Sequence, residues 1–206
     1  MLKVGITGGI GSGKTTVCHM FEILRIPVFY ADEAAKALMD NDAALKAKIA
    51  ALFGEDIYLD GKLNRAALSS AVFGNPEMLA ALNAMVHPAS LAAARAWLDA
   101  QTTPYAVKEA AIFFESGTYI DIDVMIGVSA PEETRISRVM QRSAISREEV
   151  LARMSRQMNE QEKMDRCDYV IVNDGTEAVI PQVLRLHEQL LKQAGSMHPS
   201  DRANKS

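Results

Sequence analysis

Eight residues near the amino terminus, Gly8-Gly9-Ile10-Gly11-Ser12-Gly13-Lys14-Thr15, carry the spacing G-x-x-x-x-G-K-[ST]. An apolar run from Leu2 to Ile6 precedes them, and a helical pattern begins near Lys14. A loop of this kind joins a buried strand to a helix N-terminus, which restricts the chain to an α/β architecture. The glycines let successive backbone N–H groups converge on one point, where the helix dipole adds partial positive charge. Lys14 can reach the β- and γ-phosphates of a nucleotide, and the Thr15 hydroxyl can ligate Mg²⁺. A glycine-rich turn without a ligand would need neither the lysine nor the hydroxyl.

At 206 residues the chain can build one sizeable core with room for an embedded subdomain. Its 22 Lys and Arg against 26 Asp and Glu give a net charge of −4. That balance argues against broad binding to nucleic acid or to an anionic membrane. Cys18 and Cys167 stand far apart with no C-x-x-C spacing, so they read as buried thiols of a reducing compartment. No apolar run reaches the ~20 residues of a membrane span, and the first residues enter a strand at once. A cytoplasmic protein is expected.

Apolar runs alternate with amphipathic segments. Strands are expected at Leu2–Thr7, Pro27–Tyr30, Tyr105–Phe114, Val124–Ala130 and Tyr169–Val172, and a helix at Lys14–Leu24. Further helices are expected at Pro131–Arg142, at Arg147–Met158 and at Glu177–Gln193. Ser146 and Glu149 have the spacing of a capping box for the second of these. Residues 33–98 read as mostly helical, broken by turns at Phe53-Gly54, Asp60-Gly61, Gly74-Asn75-Pro76 and His87-Pro88. The polar, aperiodic residues 195–206 are expected to be disordered. Strands alternating with helices imply a five-stranded parallel sheet covered on both faces, with ligands outside the carboxyl ends of the strands.

Several residues on that rim have chemical potential. Asp32 closes the second strand, where a carboxylate would face a γ-phosphate and take a proton from an attacking hydroxyl, or would cap the next helix. Glu115 follows the apolar run Ala110–Phe114, where it would help hold Mg²⁺ or cap the following segment. Lys108 and Glu109 are two charges inside an apolar strand; adjacent residues face opposite ways, and Glu109 is the better candidate for the rim. Arg135, Arg138, Arg142, Arg147, Arg153 and Arg156 form a basic cluster over two helices, with Arg138 and Arg142 sharing a face. They read as a lid over a transferring phosphate, the competing reading being a solvated face balanced by Glu132, Glu133, Glu148 and Glu149. His19 and His187 read as structural, and no His, Cys, Asp and Glu spacing suggests zinc.

The segment Gly5–Thr16 followed by Tyr30-Ala31-Asp32 resembles dephospho-CoA kinase. Further matches follow in order at Leu63-Asn64-Arg65, Leu82–Pro88, Phe113-Phe114-Glu115, Gln141-Arg142, Arg153 with Gln157, and Asp168–Asn173. The resemblance covers nearly the whole chain apart from the tail. It implies ATP-dependent phosphorylation of the ribose 3′-hydroxyl of dephospho-CoA, the last step of coenzyme A synthesis, with ATP and dephospho-CoA as partners and Mg²⁺ as cofactor. Asp32, Lys14, Arg138 and Arg142 would be catalytic. Gly9, Gly11, Ser12, Gly13, Lys14, Thr15, Thr16 and Asn173 would hold ATP. Asp32, Arg65, His87, Glu109, Glu115, Arg153 and Gln157 would face the acceptor, and Thr15 the metal, with Glu115 a further candidate. This chain departs from the family's usual pattern at Tyr30, often Asp; at Lys36, often Arg or His; and at Lys108-Glu109-Ala110, a strand usually more apolar and containing Pro.

The expected architecture is therefore a three-layer P-loop NTPase fold. Its nucleotide-binding core comprises residues 1–32, 99–138 and 159–194, its helical acceptor-binding insertion residues 33–98, and its helical lid residues 139–158. A kinase of another nucleoside or nucleotide is the alternative on the same scaffold. An NTP-driven switch is a poorer one, because the chain has neither N-K-x-D nor D-x-x-G.

Overall fold

The computed structural model describes residues 1–196. In chain order the elements are β1 (Leu2–Thr7), α1 (Lys14–Ile23), β2 (Val28–Tyr30), α2 (Ala31–Asn41), α3 (Ala43–Phe53), β3 (Tyr58–Leu59), β4 (Lys62–Leu63) and α4 (Arg65–Val72). They continue with α5 (Pro76–Asp99), β5 (Tyr105–Glu109), β6 (Val124–Ser129), α6 (Glu132–Ser143), α7 (Arg147–Met154), α8 (Glu160–Asp165), β7 (Tyr169–Val172) and α9 (Val179–Ser196). Two compact units result, one formed by Met1–Phe29 with the chain from Ala100 onward, the other by Tyr30–Asp99.

The first unit is built on a five-stranded sheet in the order β2-β5-β1-β6-β7. β1 runs parallel to both β5 and β6, and β6 parallel to β7. A strand flanked on both sides and covered on both faces reads as a continuous apolar run, and Val4, Ile6, Val107, Ile126 and Val128 are all buried. From α1, Val17, Cys18 and Phe21 enter this core, joined by Val183, Leu186 and Leu190 of α9. The Phe21 ring meets Tyr105 edge-on at 6.2 Å, and the Tyr105 hydroxyl bonds His187 Nδ1 at 2.6 Å, so His187 is structural as expected. Gly127 leaves room on β6 for Met164 of α8.

Sheet, helix α1 and strand β7 lie where the sequence pattern puts them, and Ser146 and Glu149 form the capping box in full. Several expectations need correction. β5 ends at Glu109 rather than Phe114; Ala110 N still donates to Ile6 O, but the chain then turns, burying Phe113 without continuing the ladder. α7 ends at Met154, and Asn159 starts the separate helix α8 by accepting the Gln161 and Glu162 N–H groups. The last helix begins at Val179, two residues later than expected, and continues through Gly195 and Ser196, so the expected disorder fails for those two residues; 197–206 lie outside the described residues. Finally, Asp32 is not the last residue of β2 but sits in the first turn of α2, whose N-cap is Tyr30 with no side-chain cap bond.

The second unit packs α2–α5 around Leu45, Ile49, Ile57, Leu63, Leu68, Leu82 and Val86. It is not wholly helical: β3 and β4 form a short antiparallel ribbon whose turn, Asp60-Gly61, has positive φ at both residues, as a tight hairpin requires. His87-Pro88 does not break the chain either. Pro88 lies inside α5, where it removes one N–H and crowds the carbonyl a turn earlier. Leu82 and Val86 before it and Ala94 and Leu98 after it are buried, and that shared packing carries the helix across the proline.

Candidate nucleotide-binding site

The loop between β1 and α1 is held open from within. Lys14 Nζ, 9% exposed as a residue, donates to Gly8 O at 2.9 Å and Gly9 O at 3.2 Å, and Ser12 N donates to Gly9 O at 3.1 Å. These bonds curl the loop around the ammonium. Gly13, the N-cap of α1, adopts φ 101, a left-handed conformation open to glycine. The first helical bond of α1 runs from Val17 N to Gly13 O, so the N–H groups of its first turn do not bond along the helix. Thr15 and Thr16 are exposed on that first turn.

Three partners brace the loop from the carboxyl end of the sheet. Asn173, just after β7, donates from Nδ2 to Ser12 O at 2.8 Å, and Arg138 Nη2 donates to Asn173 Oδ1 and O at 3.3 Å. Arg135, 6% exposed, donates from Nε to Ala130 O at 3.0 Å, pairs with Glu160 at 3.2 Å, and packs against Gly9 so closely that a Cβ there would strike its guanidinium. Gln157 accepts the Ile10 N–H at 2.9 Å, while the Ile10 side chain packs on Ile136, Val139 and Val150 of α6 and α7. Two buried polar atoms here lack a hydrogen-bond partner among the described residues, Ser12 Oγ and Arg138 Nη1. Orphaned buried donors are costly, about 1–3 kcal/mol each, and an anion bound at the loop would relieve that cost.

On β5, adjacent residues face opposite ways as expected. Lys108 Nζ points to Thr118 O at 3.4 Å and lies 4.9 Å from the Phe113 ring centre. Glu109, buried, shares the face of Tyr105 beneath α1, and its charge acts on the Cys18 thiol together with that of Lys14. Burial, reinforced by Glu109, pushes the Cys18 thiol well up; burial and then Asp168 push Cys167 up to about 12. Neither thiol is primed for chemistry. Glu115 lies beyond β5 in the turn, where Lys163 Nζ at 2.9 Å and Met158 N at 2.8 Å both donate to its Oε1. Burial works to raise the Glu115 carboxyl, but the bonds from Lys163 and Met158 outweigh it and hold the group below its ordinary value.

The family model for dephospho-CoA kinase matches residues 2–178. The chain belongs to the dephospho-CoA kinase family. A dephospho-CoA kinase of Salinibacter ruber is 42% identical, over 85% of this chain and 90% of the relative. Among solved structures, TT1252 from Thermus thermophilus superposes with a TM-score of 0.80 at 36% identity, covering 93% of this chain and 97% of the other. The dephospho-CoA kinase from Campylobacter jejuni gives a TM-score of 0.70 at 27% identity, covering 95% and 98%.

Set against the residues that the dephospho-CoA kinase pattern picks out, the first unit brings together Gly9, Gly11, Ser12, Gly13, Lys14, Arg138, Gln157 and Asn173. Arg142 and Arg153 are exposed on their helices, and Arg147 makes a two-pronged bond to Glu133 at 2.6 and 2.8 Å on the surface. That pair matches the solvated-face reading for Arg147. Asp32, Arg65 and His87 belong to the second unit. There Arg65 donates to Asp40 at 2.7 Å and to the Lys36 carbonyl at 3.2 Å, while His87 is exposed on α5. Sequence reasoning missed the local role of Arg135 and passed over Glu160 and Lys163. The signal for Arg135 was its place four residues before Val139, on the apolar stripe of α6 rather than its polar side. Among the described residues no group of His, Cys, Asp and Glu is arranged to hold a metal by itself, and no helix is long and apolar enough to cross a membrane.

Proposed function

We propose that this kinase transfers the γ-phosphoryl group of ATP to the ribose 3′-hydroxyl of dephospho-CoA, giving coenzyme A and ADP. Family membership supports the reaction, and the observation that carries the donor half is the loop itself. It offers Lys14 and the N-terminal N–H groups of α1, and Arg138, tied to it through Asn173, keeps a buried Nη1 with no partner among the described residues.

In this reading the loop N–H groups and Lys14 orient the β- and γ-phosphates, and Arg138 stabilises charge that grows on the transferring group. Arg142, four residues further on α6, and Arg153 on α7 complete a lid at residues 139–158. Asp32 accepts the proton of the acceptor hydroxyl, the ordinary duty of a general base in phosphoryl transfer. Arg65 and His87 contact the acceptor, for which residues 33–98 provide the binding unit, with Glu109, Glu115 and Gln157 as contacts from the core.

The residues suit a divalent metal on the phosphates: Thr15, with its hydroxyl, is exposed on the first turn of α1. Mg²⁺ there would neutralise phosphate charge. Glu115 is the second candidate, although Lys163 and Met158 already draw on its Oε1. The reading is of a cytoplasmic enzyme acting on two small molecules, without nucleic-acid or membrane partners. A coupled ADP-release assay over a panel of acceptors tests it. Dephospho-CoA should turn over far faster than adenosine or AMP, and equal rates would discard the proposal.

A further inference from the structure

Lys163 is buried to 1% exposure on α8, a helix of six residues. An ammonium so enclosed is strongly destabilising unless it is fully bonded, and a Leu or Met would fill the same space without that cost. The lysine is bonded on two sides, to Ala111 O at 2.7 Å and to Glu115 Oε1 at 2.9 Å. The same carboxylate oxygen accepts the Met158 N–H at 2.8 Å. Met158 directly follows Gln157, whose Oε1 takes the Ile10 N–H of the phosphate loop at 2.9 Å. Two residues beyond Met158, Glu160 pairs with Arg135 against Gly9.

The short stretch 157–163 is thus fastened at one side to the loop, at Ile10 and Gly9, and at the other to the turn after β5, at Ala111 and Glu115. We infer that Lys163 is a positioning residue for the phosphate loop. Through Glu115 it fixes the Met158 backbone, and that sets Gln157 on the Ile10 N–H, so the first half of the loop is held while the N–H groups at the start of α1 meet phosphate. Preorganisation of this kind tightens nucleotide binding by reducing the ordering that binding must supply. The inference rests on the loop being the ATP site but not on the identity of the acceptor.

The test is ATP affinity without acceptor, measured by displacement of a fluorescent ATP analogue, both with Mg²⁺ and in EDTA. Lys163→Met, Glu115→Ala and Gln157→Ala should each weaken ATP by about tenfold, the effect of one lost charge-assisted or buried hydrogen bond. The loss should persist in EDTA, where any metal-holding role of Glu115 is silent. The double variant Lys163→Met/Gln157→Ala should be no weaker than the weaker single, because both act through one contact. Hydrogen exchange at the Ile10 amide should quicken in all of them. A cooperatively folded Lys163→Met enzyme with unchanged ATP affinity would overturn the inference, as would multiplying effects in the double variant. If Lys163→Met does not fold, Glu115→Ala and Gln157→Ala decide: unchanged affinity in either overturns it. Absence of ATP binding by the wild-type protein would instead defeat the reading of the loop.

Discussion

Asn173 donates from its side-chain amide to the Ser12 carbonyl at 2.8 Å, joining the end of the last strand to the loop after the first. Its own N–H is fixed by Ser129 O at 2.8 Å, and its Oδ1 receives Arg138 at 3.3 Å. One amide therefore orients both the phosphate loop and a proposed lid arginine. Asn173→Leu removes both bonds, about 1–2 kcal/mol in net terms. The KM for ATP should rise roughly 5- to 30-fold, the factor corresponding to that energy. Steady-state kinetics at saturating acceptor give the answer, and an unchanged KM would reduce Asn173 to a structural brace.

Gly13 marks where the same contact leaves no room. Its φ of 101 strains any L side chain, and a Cβ there would collide with Asn173 Nδ2. Left-handed strain alone costs on the order of 1–3 kcal/mol. Gly13→Ala should weaken ATP binding by at least about tenfold. Gly195→Ala is the control: this glycine lies in α9 with open space around it, so the exchange should raise stability slightly and leave ATP binding alone. Equal ATP affinity in the two variants would contradict the steric argument.

What the sequence made legible follows from the range of each signal. The loop motif, β1, α1 and β7 are written in local periodicity and spacing, so their bounds could be read directly. β5 was overextended because Ala110–Phe114 is apolar without being strand; Phe113 is buried by a turn, and burial alone does not distinguish the two. The β3–β4 ribbon escaped notice because strands of two residues carry no period. At the site, Lys14, Arg138, Asn173 and Gln157 were named, but for phosphate or substrate. The bonds they make, such as that from Asn173 to the Ser12 carbonyl, join positions as far as 161 residues apart, which no spacing rule reports. Lys163 carried no local signal, and only the tertiary fold shows that it is enclosed.

Asp32 lies in the first turn of α2, two residues past the β2 strand, and does not cap that helix through its side chain. The structural duty that competes with catalysis is thereby removed. Asp32→Asn should lower kcat by roughly 10²–10⁴, the usual contribution of a positioned base. ATP affinity should stay within about twofold of wild type, since uniform binding is untouched. A loss of kcat under threefold would leave Asp32 without a catalytic role.

Asp40 offers a test of the second unit that is independent of turnover. Leu63 N donates to its Oδ1 at 3.1 Å and Arg65 Nη2 to its Oδ2 at 2.7 Å. The Leu63 N–H is the main influence, and with Arg65 it holds the carboxyl below its ordinary value despite some burial. Because the folded pKa is depressed, the carboxylate adds stability that is complete above the unfolded value, about 3.9, and is lost as pH falls through the folded one. The Arg65 and Asp40 side chains are 43% and 24% exposed, so salt should shrink the contribution. Asp40→Asn keeps an acceptor for Leu63 but no charge. The gap in Tm between wild type and variant should hold steady from about pH 7 to 5 and close below about pH 4. A gap that does not narrow at all by about pH 3, or widens there, would show that the charge of Asp40 is not what fastens Arg65 to α2.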